Sequence, residues 1–193
     1  MENVYAEWTE VLLLIFLMTG IASSLVVWSI RNGISPMPTS AKVKFCLYNL
    51  LPNHLNGTIY DLGSGWGTLV IPLAGRYPDC PVIGFETSPL PYWMSVLRLK
   101  FFKTCSHLSN VQFVKSDFFS ANLEDASLIV CYLYPGAMKK LKSKFEAELK
   151  PGTWVISNTF AVPGWKEERV LGAADLYHTK IYLYKTPLKV KKS

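Results

Sequence analysis

Residues 58–67 read TIYDLGSGWG, and this stretch decides the fold. TIYDL is a short apolar run of strand length, and the glycines at 63, 65 and 67 break it into a loop. Glycines placed just after a strand permit a tight turn and a close backbone approach to a ligand. The spacing is GxGxG. A dinucleotide fingerprint would place its third glycine at 68, where Thr68 stands, and the GK[ST] of a nucleotide-triphosphate loop is absent.

Outward from this loop, short apolar runs alternate with amphipathic stretches. The runs are 58–62, 81–86, 111–117, 126–133, 153–160 and 180–185, with helical patterns at about 67–76, 90–104 and 136–149. Ser40 is placed to cap a further helix whose apolar positions Val43, Cys46, Leu47, Leu50 and Leu51 recur until Pro52. In the pattern at 136–149, Met138, Leu141, Phe145 and Leu149 make one face, and Lys139, Lys140, Lys142 and Lys144 read as mostly solvated. Strand–helix alternation predicts a parallel sheet with helices on both faces. Residues 157–193 depart from it, and two strands at about 167–171 and 179–185 read as an antiparallel pair at one edge.

Residues 11–30, VLLLIFLMTGIASSLVVWSI, are a different object: twenty residues without a charge, fifteen of them apolar. A helix of that length spans about 30 Å, the thickness of a bilayer's hydrocarbon core. The hydroxyls of Thr19, Ser23 and Ser24 can bond back to the helix backbone, and Trp28 suits the headgroup boundary. A cleaved signal peptide wants a basic start and a shorter run, whereas Glu2, Glu7 and Glu10 stand here. We therefore expect an uncleaved transmembrane helix within a segment 1–30, a connector and leading helix over 31–56, and a catalytic domain over 57–193.

The chain of 193 residues has a net charge of +6. All 20 basic residues follow the span, so residues 31–193 hold 20 basic against 11 acidic groups, a balance of +9. The positive-inside rule puts that domain on the cytoplasmic side of a bacterial inner membrane, or in the matrix of a mitochondrion. Lys185, Lys189, Lys191 and Lys192 would draw the C-terminus towards anionic lipid. No nucleic-acid recognition motif accompanies the charge. A 50% hydrophobic chain with 18% charged residues is not disordered, and 12 Gly and 12 Pro without a period exclude collagen-like repeats. Cys46, Cys80, Cys105 and Cys131, with His54, His107 and His178, show no metal-ligand spacing and read as reduced thiols and scattered imidazoles.

Sheets of this type bind ligands beyond the carboxyl ends of their strands. Asp61 and the loop Gly63-Ser64-Gly65-Trp66-Gly67 lie there after the first strand. Glu86 ends the second, where a carboxylate can accept from both hydroxyls of a ribose. At the end of the third, Asp117 can accept from an adenine amino group while Phe118 packs on the ring; the alternative for Asp117 is a cap of a helix or turn.

DLGSGWG, Glu86 and Asp117 together resemble the cofactor site of class I S-adenosylmethionine-dependent methyltransferases. The resemblance implies a Rossmann-like, mostly parallel seven-stranded sheet and S-adenosyl-L-methionine as cofactor, with Asp61 near its amino group. A narrower likeness runs along almost the whole chain: PMPTS, IYDLGSGWGTLVIPLA, GFETSPLPYW, SDFF, YLYPGAM, LKPGTWVISNTF and VPGW, in that order after a membrane span. It is similar to the single-span protein lysine methyltransferases of mitochondria and their prokaryotic relatives. Those act on membrane-embedded partners such as nucleotide carriers or a component of the ATP synthase. Trp66 departs from the acidic residue often found at its position, and YLYP differs from the eukaryotic segment, so substrate identity does not transfer.

Methyl transfer to lysine requires an uncharged amine, and an apolar aromatic pocket favours that form. Tyr132, Tyr134 and Pro135 after the fourth strand are the candidates for its wall, with Tyr92, Trp93, Asn158 and Trp165 as further contributors. No general base stands out. The expectation is a membrane-anchored methyltransferase acting on a membrane-associated protein. The alternatives are a small-molecule or lipid methyltransferase and a catalytically silent cofactor-binding scaffold.

Overall fold

The computed structural model describes residues 2–33, 38–105 and 108–187. Pro36, His107, Lys189, Lys191 and Lys192 lie outside the described residues. The chain divides into two compact units, residues 1–36 and 37–193.

The first unit is one helix, α1 (Glu2–Asn32), of which 8–32 is long and apolar enough to cross a membrane. Two of its hydroxyls turn inward on the backbone. Thr19 Oγ1 donates to the Ile15 carbonyl and Ser29 Oγ to that of Leu25, each at 2.7 Å. The Arg31 guanidinium lies 5.3 Å from the Trp28 ring centre.

In the second unit, α2 (Ala41–Leu50) opens on Ser40, whose hydroxyl accepts from Val43 N as the capping pattern predicts. Then follow β1 (Thr58–Leu62), α3 (Val70–Arg76), β2 (Val82–Phe85), α4 (Pro89–Cys105), β3 (Val111–Val114), a 3-10 turn (Phe118–Ser120), β4 (Ala126–Cys131), α5 (Pro135–Glu148), β5 (Trp154–Asn158), β6 (Arg169–Gly172) and β7 (Lys180–Lys185). The seven strands form one sheet in the order β3-β2-β1-β4-β5-β7-β6. β1 to β5 pair in parallel, while β7 pairs antiparallel with both β5 and β6. The sheet is therefore mixed. The expected edge pair is present, but the hairpin folds β7 inward and leaves β6 outermost.

Alternation along the central strands sorts the core into two layers. Ile59, Leu128 and Val130 face the side that packs α2, α3 and α4. Tyr60, Leu62, Ile129 and Cys131 face the side that packs α5 through Met138, Leu141 and Phe145. Two boundaries differ from the sequence reading. α3 starts at Val70, not 67, because Gly63, Gly65 and Gly67 all hold positive φ and keep the loop open until Leu69. The apolar run 111–117 is a strand only to Val114, because Asp117 caps the turn that follows.

The crossover from β3 to β4 contains no α-helix. It is held down by a clamp from α5: Lys144 Nζ donates to the Ala121 carbonyl at 2.6 Å and pairs with Glu148 Oε1 at 2.5 Å, and Glu148 Oε2 accepts from Leu123 N at 3.0 Å. Lys144 is thus a tie, correcting its reading as a solvated residue. Lys139 and Lys140 are exposed as expected.

Candidate active site

Strand order reverses between β1 and β4, and the parallel strands deliver their carboxyl ends to one edge there. Asp61, the fourth residue of β1, stands opposite Gly84 of β2 and Val130 of β4. It is buried, at 4% exposure, as is Glu86 at 6%, one residue beyond β2. Burial and then the neighbouring Glu86 carboxylate push Asp61 from its ordinary 3.8 up to about 7. Two buried acids near enough for one to raise the other's cost of ionisation form a site that favours a cation.

Glu86 is not the solvated strand-end acid that its position in sequence also allowed. Its Oε2 accepts from Gly65 N at 2.8 Å and its Oε1 from Ser88 N at 2.7 Å. The glycine loop is further latched to β2 by Gly63 N and Ser64 N, which both donate to the Phe85 carbonyl. Ser88 was missed in the sequence because a backbone donor leaves no side-chain signature.

Within the loop the glycines do different work. Gly67 has φ +68°, and a Cβ there would stand 2.6 Å from the Phe113 ring. Gly65 has φ +52°, and a Cβ on it would meet nothing within 4 Å. Its Cα therefore borders open space beside the Glu86 carboxylate. The Ser64 hydroxyl is buried without a hydrogen-bond partner and packs on Gly84, where a Cβ would approach it to 2.8 Å. Trp66 is half-buried on the loop.

Asp117 is exposed and accepts from Phe119 N at 2.9 Å, so it does cap the 3-10 turn. Phe118 is half-buried and its ring centre lies 4.6 Å from that of Phe119. Tyr132, Tyr134 and Pro135 follow β4 on the same edge; Tyr134 is the N-cap of α5 and Pro135 its first residue. Cys131 lies beneath them, fully buried, its thiol pushed up to about 12 mainly by burial, with Asp61 adding to the shift. It is not a nucleophile near neutral pH.

Asn158 ends β5 at this edge, buried. Tyr92 packs half-buried against the core, and Trp93 is on the exposed side of α4. Trp165 must be removed from the pocket wall. Its Nε1 donates to Glu146 near the far end of α5, and its ring packs on Phe145 and Tyr184. It lines a cleft of about 870 Å³ with Pro151, Gly152, Lys185 and Thr186, where β5 begins and β7 ends. That cleft opens at the opposite edge of the sheet. Among the described residues no cluster of three His, Cys, Asp or Glu is arranged to hold a metal.

Comparison with known proteins meets this geometry. A protein-lysine N-methyltransferase of Saccharolobus islandicus (strain REY15A) is 29% identical over 150 residues, spanning 77% of this chain and 91% of that protein. A lysine N-methyltransferase of Mus musculus named for the ATP synthase is 29% identical over 169 residues, which is 81% of this chain and 66% of the mouse protein. The crystal structure of an RNA methyltransferase from Salinibacter ruber with S-adenosyl-L-homocysteine superposes with a TM-score of 0.70 at 27% identity, covering 81% of this chain and 98% of that one. The pattern of the family described as the ANTKMT methyltransferase domain matches residues 61–169, from the buried acid of β1 to the first residue of β6. That match takes in more than half of the chain, the acids and the strand-order switch included, and the protein belongs to this methyltransferase family.

Proposed function

We propose that this protein is a membrane-anchored S-adenosylmethionine-dependent methyltransferase that modifies a lysine of a membrane-associated protein. The observation that carries the reading is the buried pair Asp61 and Glu86 beside the open Gly65 in a member of this family. S-adenosylmethionine fits the donor set, being a sulfonium and an ammonium with no phosphate, since the loop 63–67 holds no base and the acids Asp61 and Glu86 stand at the ends of the strands beside it. When bound, it supplies a methyl group already activated towards nucleophiles.

The chain's own residues then bind and orient. Asp61 would hold the cofactor's amino end, whose positive charge would favour the ionised carboxylate. Each Glu86 oxygen accepts one backbone N–H and retains acceptor capacity for ribose hydroxyls. Asp117 and Phe118 would hold the adenine of a bound cofactor, and residues 63–67 its methionine part. Tyr132, Tyr134 and Pro135 wall the acceptor side, where a poorly hydrated lysine ammonium loses its proton more readily. Catalysis is then mainly positioning of the neutral amine in line with the methyl group.

A protein-lysine acceptor is supported by the named activities of the archaeal and mouse relatives. The membrane anchor is supported by α1, which presents Leu12, Leu14, Phe16 and Leu17 unburied along its length. Isothermal titration with S-adenosylmethionine tests the cofactor site, and an absence of binding heat rejects it. Membranes with and without this gene, incubated with tritiated cofactor, test the acceptor. Label in a protein band whose lysines are one methyl heavier supports the reading; label only in the organic extract points instead to a lipid or small molecule.

A further inference from the structure

One face of the catalytic unit is left without a role by this chemistry. α4 packs inward through Pro91, Ser95 and Leu99, and a helix lying on a sheet needs only that apolar stripe. Yet its other side carries Trp93, Met94, Leu97 and Phe101, exposed by 60%, 44%, 60% and 68%. At about 100° per residue these four fall within an arc of about 100°. Arg98 flanks the arc on one side, and Lys100 and Lys103 flank it on the other.

Lys44 of α2 adds to this rim. Its pKa is lowered by burial and then by the nearby Arg98 charge, which puts the two cations within reach of each other. Neither α2 nor α4 contains an acidic residue. Cations gathered this way repel one another, and an anionic surface relieves that repulsion. An apolar stripe with cations on both flanks is the pattern of a helix lying in the plane of a membrane interface.

We propose that the exposed stripe of α4 docks in the headgroup layer of an anionic bilayer. Trp93, Leu97 and Phe101 reach the acyl boundary, and Lys44, Arg98, Lys100 and Lys103 meet lipid phosphates. The proposal rests on the membrane-anchor reading, since residues 33–40 alone join α1 to α2 and reach about 30 Å at full extension. α4 begins three residues after Glu86, so docking it brings the glycine-loop edge of the sheet beside the membrane surface. The catalytic unit would then be oriented on the bilayer as well as tethered to it.

The test uses the full chain reconstituted in vesicles of phosphatidylcholine with phosphatidylglycerol. An environment-sensitive fluorophore is placed at Leu97→Cys, at Phe101→Cys and, as a control on α5, at Lys139→Cys, with the unmutated chain giving the background from native thiols. These positions are exposed, so the fold tolerates the changes. The expected result is blue-shifted emission at 97 and 101, most of it lost when the lipids carry a doxyl quencher, with the label at 139 unaffected. The quenching should fall in pure phosphatidylcholine and at high salt. Blue-shifted emission insensitive to doxyl lipid means that a protein or second copy covers the stripe, and it overturns the proposal. Emission typical of water in a chain that floats with the vesicles also overturns it, leaving the anchor intact. A chain that does not float overturns both.

Discussion

Asp61 is the buried acid at the centre of the proposed cofactor site. Its carboxyl titrates near 7 because it is buried beside Glu86. An acid whose folded pKa stands above its ordinary 3.8 keeps its proton in the folded state alone, so its contribution to stability declines as pH rises from about 4 to about 7. A cationic ligand favours the ionised form and reverses that preference. Affinity for S-adenosylmethionine should therefore rise from about pH 5.5 to pH 7.5. Asp61→Asn should flatten the profile and weaken binding by about 1–3 kcal/mol; titration calorimetry across this range checks both. The glycines make a second contrast. Gly67→Ala forces a left-handed alanine against Phe113 and should cost about 2–4 kcal/mol in thermal unfolding. Gly65→Ala meets no neighbour and should cost about 1–2 kcal/mol, with its main effect on cofactor affinity. All three glycines and both acids were visible in the sequence, because motif spacing is local. That the acids press on one another was not, because they come from strands paired 23 residues apart, Asp61 opposite Gly84.

Among the connections between the parallel strands β1 to β5, the β3–β4 crossover has one 3-10 turn in place of an α-helix. Its anchorage is the Lys144–Glu148 pair on α5, whose side chains are 10% and 26% exposed. Lys144→Ala removes the donor to Ala121 and should lower stability by about 1–3 kcal/mol. Hydrogen exchange should then quicken at the Leu123 amide, which Glu148 holds, while the β1 and β4 amides stay protected. Helical periodicity identified the apolar face of α5 through Met138, Leu141 and Phe145. It was silent about Lys144, since periodicity says which face is buried but not which loop crosses its margin. The same holds for Trp165, an aromatic close in sequence to the end of β5 that the chain carries back to the opposite edge of the sheet.

At the scale of the whole molecule, a helix of bilayer length precedes a basic catalytic unit. We expect the full chain to resist carbonate extraction, and the basic residues that follow the span, from Arg31 on, to keep residues after 33 on one side of the membrane. Protease added to sealed vesicles of known orientation should digest residues after 33 from one side only; digestion from both sides would reject a single topology. The sequence by itself determined the apolar span, the charge asymmetry, the succession of strands and the GxGxG loop followed by Glu86, because each is written in composition or short-range spacing. Only the tertiary structure decided that β7 inserts between β5 and β6, that Glu86 is buried and shared between Gly65 and Ser88, and that α4 carries a second apolar face left exposed among the described residues. Those outcomes depend on which distant segments bury one another, and pairing energies between distant segments leave no periodic mark along the chain.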